Sequence, residues 1–225
     1  MRANLEFFGR GEFMGYKNIL FDVDGTLVDS GPALSRSFVR VMTEETGRPV
    51  RAEEYARYWG VPAEQAFRDL GIVDERRIAS GIRKWNSYFH EIQEHSPPFP
   101  GIEELLEELT ERGFALGAVT SKNTEEMEAC LAGSPIAKYL PHRVTSDDTK
   151  FPKPAPDPLF EMMRRLEADK KDCVYIGDTV FDSRCAAAAG IDFALASWGF
   201  LFGEPEGIQA IGRLKRPKGV LALVG

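Results

Sequence analysis

Apolar runs typical of β-strands alternate with stretches typical of helices over much of this 225-residue chain. Strands are predicted at residues 18–23, 114–120, 142–145, 173–177 and 191–196, with helices near 101–112, 124–131, 158–167 and 180–189. A short terminal helix at 217–224 is expected to follow a last edge strand. Such alternation implies a parallel sheet with helices on both faces. The sequence therefore predicts an α/β fold with a Rossmann-like parallel-sheet core.

The segment between Asp29 and Pro100 lacks a convincing strand and reads as helical. Pro32 opens one helix, and others are predicted at 51–59, 63–70 and 74–93. The first has a single apolar face, formed by Leu34, Phe38, Val41 and Met42. We therefore expect an inserted α-helical domain at 32–98 and a core at 16–31 and 99–225. Residues 1–15 read as an N-terminal extension that is poorly ordered.

Composition excludes several functional classes. A net charge of −7 and a pI near 5.2 argue against nonspecific binding to nucleic acid or to an acidic membrane surface. No run approaches the roughly eighteen apolar residues of a membrane span, and no signal-peptide pattern is found. The three cysteines lack metal-ligand spacing, so we expect reduced thiols in a cytoplasmic protein.

Two carboxylates stand directly after the first predicted core strand. Asp22 and Asp24 follow an apolar run that ends at Phe21, at the strand end where open α/β sheets bind ligands. If strand geometry persists, both emerge on one face, so that one attacks while the other handles protons. Gly25 permits a tight turn and Thr26 adds a hydroxyl donor, and such an oxygen-rich site suits Mg²⁺. The alternative at this stage is an ordinary Asp-Gly turn with solvated acids.

Residues 21–30, Phe-Asp-Val-Asp-Gly-Thr-Leu-Val-Asp-Ser, resemble the first motif of the haloacid dehalogenase superfamily of phosphotransferases. That family has three further motifs, and candidates for all three follow in order, each near a predicted strand end. The second is Thr120-Ser121, and the resemblance implies that its hydroxyl, for which Thr120 is our choice, binds the phosphoryl oxygens. A turn or helix-capping role is the alternative, because Asn123 and Glu126 form a plausible capping pair for the next helix.

The third and fourth motifs supply a lysine and two more acids. Lys153 lies in Phe-Pro-Lys-Pro-Ala-Pro, which matches the family's Lys-Pro-x-Pro form, and its neighbouring prolines restrict the backbone. Gly177-Asp178 with Asp182 resembles the family's Gly-Asp-x-x-x-Asp. By that resemblance Asp178 is a direct Mg²⁺ ligand, and Asp182 supports the site from outside the ligand set. Capping of the following helix by Asp178 or Thr179 is the alternative or an additional role.

The resemblance implies a mechanism. Asp22 attacks phosphorus and forms an aspartyl-phosphate, while Asp24 protonates the leaving alcohol and then activates water. The metal ligands are Asp22, the backbone carbonyl of Asp24, and Asp178. Phosphate contacts come from a set at the strand ends: Gly25, Thr26, Thr120, Ser121 and Lys153. The helical insertion resembles the cap that many family members place after the first motif, and its segment 58–65 is nominated as substrate-selecting.

Within the family, the chain looks most like the phosphoglycolate phosphatase-like group, which shares the Lys-Pro-x-Pro, Gly-Asp-Thr and Ser-Trp-Gly strings. This implies a Mg²⁺-dependent phosphatase, monomeric or homodimeric, whose partner is a small phosphorylated metabolite. Phosphoglycolate, sugar phosphates, nucleotides and pyrophosphate remain open. A phosphomutase of the β-phosphoglucomutase type is an alternative, but Leu34 and Ala63 stand where such mutases keep a His and an Arg. A non-catalytic phosphate-binding regulatory protein is the other alternative.

Overall fold

The computed structural model describes residues 5–7, 15–58, 63–93, 96–200 and 206–224. These residues divide into two compact units, one formed by Ser30–Ser96 and the other by the remaining described residues. The helical unit begins and ends within two residues of the limits predicted for the inserted domain. Its role as a cap stays a prediction.

One sheet is built from seven strands of the described residues. They are β1 (Leu5–Phe7), β2 (Asn18–Phe21), β3 (Ala115–Val119), β4 (His142–Val144), β5 (Cys173–Gly177), β6 (Asp192–Ala196) and β7 (Gly212–Leu214). Their order across the sheet is β1-β7-β6-β5-β2-β3-β4. All neighbours pair in parallel except β1, which runs antiparallel to β7. The predicted α/β fold with a parallel-sheet core is confirmed.

Nine helices are found among the described residues; those between residues 102 and 189 alternate with strands as predicted, whereas the four between residues 31 and 93 follow one another without a strand. They are α1 (Gly31–Thr46), α2 (Ala52–Tyr55), α3 (Ala63–Asp69), α4 (Glu75–Gln93), α5 (Ile102–Glu111), α6 (Thr124–Leu131), α7 (Asp157–Leu166), α8 (Val180–Ala189) and α9 (Leu221–Val224). Among the described residues, none of the helices is both long and apolar enough to cross a membrane. The three cysteines carry free thiols.

The sheet is covered on both faces because side chains alternate along each strand. Ile19 and Phe21 of β2 join an apolar cluster with residues of α5, α6 and α9. Leu20 points the other way and joins a second cluster with residues of α7 and α8. Each cluster is almost fully buried, so β2 is a central strand hydrophobic on both sides.

The register brings three strand ends together. Phe21, the last residue of β2, pairs with Ala118 of β3 on one side and with Ile176 of β5 on the other. The strands are parallel, so their carboxyl ends share one edge of the sheet. The residues that follow them, Asp22, Thr120 and Asp178, therefore lie along that edge.

The helical unit has its own core. Phe38, Val41 and Met42 of α1 are buried there and Leu34 packs against them, as the apolar face of the first helix predicted. Trp85 of α4 lies edge-on to Phe38 and donates its indole N–H to Ser37 Oγ at 2.9 Å. This unit thus buries aromatic surface of its own.

Two features differ from the sequence prediction. The strand β1 was not predicted, although residues 5–7 pair with Gly212–Leu214. The rest of the predicted N-terminal extension, apart from Gly15, lies outside the described residues. The strand β2 ends at Phe21 rather than at residue 23, and Asp24 already stands in a turn that bridges to Val28.

Candidate active site

Asp22 occupies the end of the central strand. Its backbone N–H donates to Ile176 O at 2.8 Å, which continues the ladder by one residue, and its side chain is buried. Oδ1 accepts a 2.8 Å hydrogen bond from Lys153 Nζ. Burial raises the pKa of Asp22, and the nearby charge of Asp182 adds to that effect, while Lys153 opposes it.

Lys153 connects two carboxylates. Its Nζ lies 2.8 Å from Asp22 Oδ1 and 2.7 Å from Asp182 Oδ1, with Tyr175 OH at 3.1 Å and Val119 O at 3.4 Å. The side chain is 5% exposed. Burial alone would lower the pKa of Lys153, but the charges of Asp182 and Asp22 outweigh it and raise it. The ammonium is therefore a fixed positive charge beside Asp22.

Asp182 belongs to the first turn of α8 and is fully buried. Its Oδ2 accepts from Thr179 N at 3.0 Å and from Thr179 Oγ1 at 2.5 Å, which completes the capping box of the helix. Its Oδ1 accepts from Lys153 and lies 2.9 Å from Tyr175 OH. Burial opposes ionisation, yet these donors lower the pKa of Asp182. Both oxygens are thus already engaged by the protein.

Three carboxylates form a cluster at this edge. Asp22, Asp178 and Asp182 each offer an oxygen, and these oxygens lie within 4.8 Å of one another. All three residues are buried. Carboxylate oxygens are the ligands that Mg²⁺ prefers, so Asp22 and Asp178 fit that ion, whereas both oxygens of Asp182 already accept hydrogen bonds from the protein. Asp24, whose main-chain carbonyl was predicted as a ligand, contributes no side-chain oxygen to the cluster.

The turn after β2 fits closely around Asp178. Thr26 Oγ1 donates to Asp178 Oδ1 at 3.2 Å. Gly25 has φ +73°, and a Cβ built on it would lie 2.3 Å from Asp178 Oδ2. Trp198 Nε1 donates to Thr26 O at 2.8 Å and fixes the same turn from the segment after β6. Only glycine permits this approach of backbone to carboxylate.

Asp24 takes a different partner from Asp22. Its Oδ2 lies 2.9 Å from Lys122 Nζ. Burial disfavours the charged lysine, but Asp24 outweighs that effect and raises the pKa of Lys122. Strand alternation was expected to place Asp22 and Asp24 on one face of the sheet. That expectation does not apply, because β2 ends at Phe21, before both residues.

The second motif, Thr120-Ser121, directly precedes Lys122 in the chain. Thr120 is buried, and its Oγ1 accepts from Lys122 N at 3.1 Å. Ser121 is exposed. Asn123 and Glu126 form the capping box of α6, as predicted for the capping pair.

The family model for haloacid dehalogenase-like hydrolases matches residues 19–196. The chain belongs to this family. The match runs from the strand before Asp22 to the end of β6 and so includes every residue of the site except Trp198. The predictions of family and of hydrolytic enzyme are confirmed.

Relatives and solved structures agree with this membership. A phosphoglycolate phosphatase of Pseudomonas syringae pv. syringae is 30% identical over 84% of this chain and 72% of its own length. Pyrophosphatase PpaX of Oceanobacillus iheyensis is 29% identical over 82% of this chain and 85% of its own. A haloacid dehalogenase-like hydrolase of Streptococcus pneumoniae has a TM-score of 0.78 and 25% identity, covering 92% of this chain and 98% of that one.

Sequence reasoning missed two residues of this hydrolase site. Tyr175 reads as one more apolar residue of β5, yet its hydroxyl lies between Lys153 and Asp182 and 3.1 Å from Val119 O. Lys122 reads as a loop lysine, and lysines in loops are normally solvated. The sequence does hold one signal for Lys122. It lies two residues after Thr120, close to the carboxyl end of β3, where the other residues of the site are found.

Proposed function

We propose that this protein is a Mg²⁺-dependent phosphatase that hydrolyses a small phosphomonoester metabolite through an aspartyl-phosphate on Asp22. The observation that carries the proposal is the Asp22 carboxylate, buried at the strand end, bound by Lys153 and clustered with Asp178 and Asp182. A charge-balanced carboxylate of this kind suits attack on a phosphoryl group. Relatives named phosphoglycolate phosphatase and pyrophosphatase support a small phosphorylated substrate.

The first step uses Asp22 as nucleophile and Asp24 as acid. A carboxylate oxygen of Asp22 forms a bond to phosphorus while the bond from phosphorus to the alcohol oxygen breaks. Asp24 gives its proton to that leaving oxygen, so the alcohol departs neutral and Asp24 is left ionised. Lys153 keeps its charge beside Asp22 throughout.

The second step reverses the proton transfer. Asp24 takes a proton from water as the water oxygen attacks phosphorus, and the bond from phosphorus to Asp22 breaks. Inorganic phosphate leaves, Asp22 is regenerated as a carboxylate, and Asp24 is protonated for the next cycle. Thr120, Ser121, Gly25 and Thr26 are proposed to contact the phosphoryl oxygens.

The assigned ligands for Mg²⁺ are Asp22, Asp178 and the backbone carbonyl of Asp24. The ion, when bound, neutralises charge on the transferring phosphoryl group. Asp182 is placed outside the ligand set, because both of its oxygens accept hydrogen bonds from Thr179 or from Lys153. It instead orients Lys153.

The helical unit is proposed as a cap that carries substrate specificity. Every residue with an assigned chemical role lies in the sheet unit and none lies within residues 30–96. Within the nominated segment 58–65, residues 59–62 lie outside the described residues. A cap would exclude water during transfer and open for release.

Hydrolysis of p-nitrophenyl phosphate with and without Mg²⁺ tests the activity, followed by a screen of phosphorylated metabolites. We expect Mg²⁺-dependent release of p-nitrophenol, abolished in Asp22→Asn while the circular dichroism spectrum is unchanged. Hydrolysis that is independent of Mg²⁺, or near wild-type turnover in Asp22→Asn, would contradict the proposal.

A further inference from the structure

Lys122 is buried beside Asp24, and the proposed mechanism gives it no role. Its side chain is 5% exposed, although lysines are almost never buried without a partner. Its ammonium forms an ion pair with Asp24 Oδ2 at 2.9 Å. Burial of an ammonium is costly unless it is paired and hydrogen-bonded.

The backbone of Lys122 is held on both sides. Its N–H donates to Thr120 Oγ1 at 3.1 Å, and its carbonyl accepts from Ser146 N at 2.8 Å. These bonds tie Lys122 to the end of β3 and to the segment after β4. The ammonium therefore reaches Asp24 from a fixed point rather than from a mobile loop.

The two oxygens of Asp24 differ. Oδ2 pairs with Lys122 Nζ, whereas Oδ1 is buried and has no hydrogen-bond partner among the described residues. A buried acceptor without a donor is uncommon in native proteins, and a catalytic role is one explanation for it. Oδ1 is thus the oxygen that remains for a proton.

The other lysine of the site has separate contacts. Lys153 binds Asp22 and Asp182, and Lys122 binds Asp24. Each member of the Asp22 and Asp24 pair therefore has its own buried cation.

We propose that Lys122 is a positioning residue for Asp24: it holds Oδ2 and so presents Oδ1 as the oxygen that exchanges the proton. The inference rests on the proposed function. In the first step the proton passes from Oδ1 to the leaving alcohol oxygen as its bond to phosphorus breaks. In the second step Oδ1 takes a proton from the water whose oxygen bonds to phosphorus.

A double-mutant cycle tests this role. Lys122→Met, Asp24→Asn and the double variant are assayed with p-nitrophenyl phosphate and with glycerol 2-phosphate, whose alcohol needs a proton to leave. We expect Lys122→Met to lower kcat for glycerol 2-phosphate by about 10–100-fold, with a smaller change in KM. Asp24→Asn should lower it by roughly 10²–10⁴-fold. The double variant should match Asp24→Asn, because Lys122 acts only through Asp24.

Two further variants serve as controls. Lys122→Arg keeps the positive charge and should recover part of the activity. Lys138→Met removes a lysine that is 63% exposed and paired with Glu103 at 3.7 Å, and should leave kcat unchanged. A double variant that falls by the product of the single losses would show that Lys122 acts on the substrate itself. That outcome, or an unchanged kcat in Lys122→Met, would overturn the inference.

Denaturant unfolding of the wild-type protein and the three variants of the cycle tests the contact without any assay of activity. We expect the destabilisation by the two substitutions to be less than additive, because either one removes the same ion pair. Strict additivity would overturn the inference. If the wild-type protein hydrolyses neither phosphate, the proposed function fails on its own, and the unfolding cycle still decides whether Lys122 holds Asp24.

Discussion

At the scale of single residues, the site pairs two carboxylates with two buried lysine ammonium groups, and Asp24 is the more exposed of the two carboxylates at 27%. Asp22 is bound by Lys153 and Asp24 by Lys122, and Asp182 joins the first of these pairs. Opposite charges at these distances offset the cost of removing each carboxylate from water. In the proposed mechanism, attack on phosphorus and proton transfer are assigned to two carboxylates in different surroundings.

The metal assignment predicts unequal effects of two substitutions. Asp178→Ala should raise the Mg²⁺ concentration needed for half-maximal activity far more than Asp182→Asn, because only Asp178 is an assigned ligand. The loss in Asp182→Asn should be about 10–100-fold, in line with groups that orient ligands. Titration of activity against Mg²⁺ in both variants measures this. Equal Mg²⁺ requirements would show that the two acids have been assigned wrongly.

The close contact at Gly25 predicts a specific loss of metal binding. In Gly25→Ala the new Cβ meets Asp178 Oδ2, so the Mg²⁺ requirement should rise steeply. Gly133→Ala is the matched control, because φ there is +70° and nothing lies within 4 Å of the position that the added methyl would take. Both variants should lose about 1 kcal/mol or more of unfolding free energy from backbone strain. Similar Mg²⁺ titrations for the two would contradict the role of the contact.

The sequence identified the acids and Lys153 but not all of their neighbours. Asp22, Asp178 and Lys153 stand in strings with recognisable spacing, and the structure brings them together. Lys122 and Tyr175 carry no such local pattern. Their contacts depend on how β3 and β5 flank β2, which is a tertiary property that single-sequence reasoning does not resolve.

At the scale of elements, long periodic segments were predicted well and short edge segments were not. The helices α6 and α8 have the predicted bounds, since capping boxes fix their first turns. The strand β1 has only three residues and pairs with one neighbour, so it leaves almost no periodic signal. The strand β2 is shorter than predicted because the chain turns at the functional residues themselves.

The capping box of α8 links helix stability to the site. Thr179→Ala removes a cap worth about 1 kcal/mol and also a hydrogen bond to Asp182 Oδ2. We expect lower stability together with lower kcat. Asp74→Ala removes the bond from Arg77 N that caps α4 and should cost similar stability with unchanged kcat. Chemical denaturation and steady-state kinetics on both variants measure this, and equal kcat values would refute the link.

At the scale of the whole molecule, the chain carries a net charge of −7, so an anionic substrate must be attracted locally. In the proposed mechanism the buried lysines and Mg²⁺ would supply that attraction in the sheet unit. The helical unit has a separate core and holds none of the assigned catalytic residues. Chemistry and substrate choice are therefore proposed to reside in different parts of the chain.

This division predicts a change in specificity without loss of chemistry. Gln65 is exposed at the start of α3 and donates to Asp69 Oδ1 at 2.6 Å. Gln65→Ala should alter the ratio of kcat/KM values among natural substrates and spare p-nitrophenyl phosphate. Asn86→Ala, an exposed position on α4, should leave both unchanged. An equal loss for every substrate in Gln65→Ala would instead indicate that the helical unit supplies essential chemistry.

The proposed mechanism requires that Asp22 becomes phosphorylated. The most direct measurement mixes the protein with Mg²⁺ and a substrate found in the screen, quenches in acid within milliseconds, and maps peptides by mass spectrometry. We expect one added phosphoryl group, located on Asp22, released by hydroxylamine and absent from Asp22→Asn. Full turnover with no phosphorylated peptide, or a phosphoryl group on another residue, would contradict it.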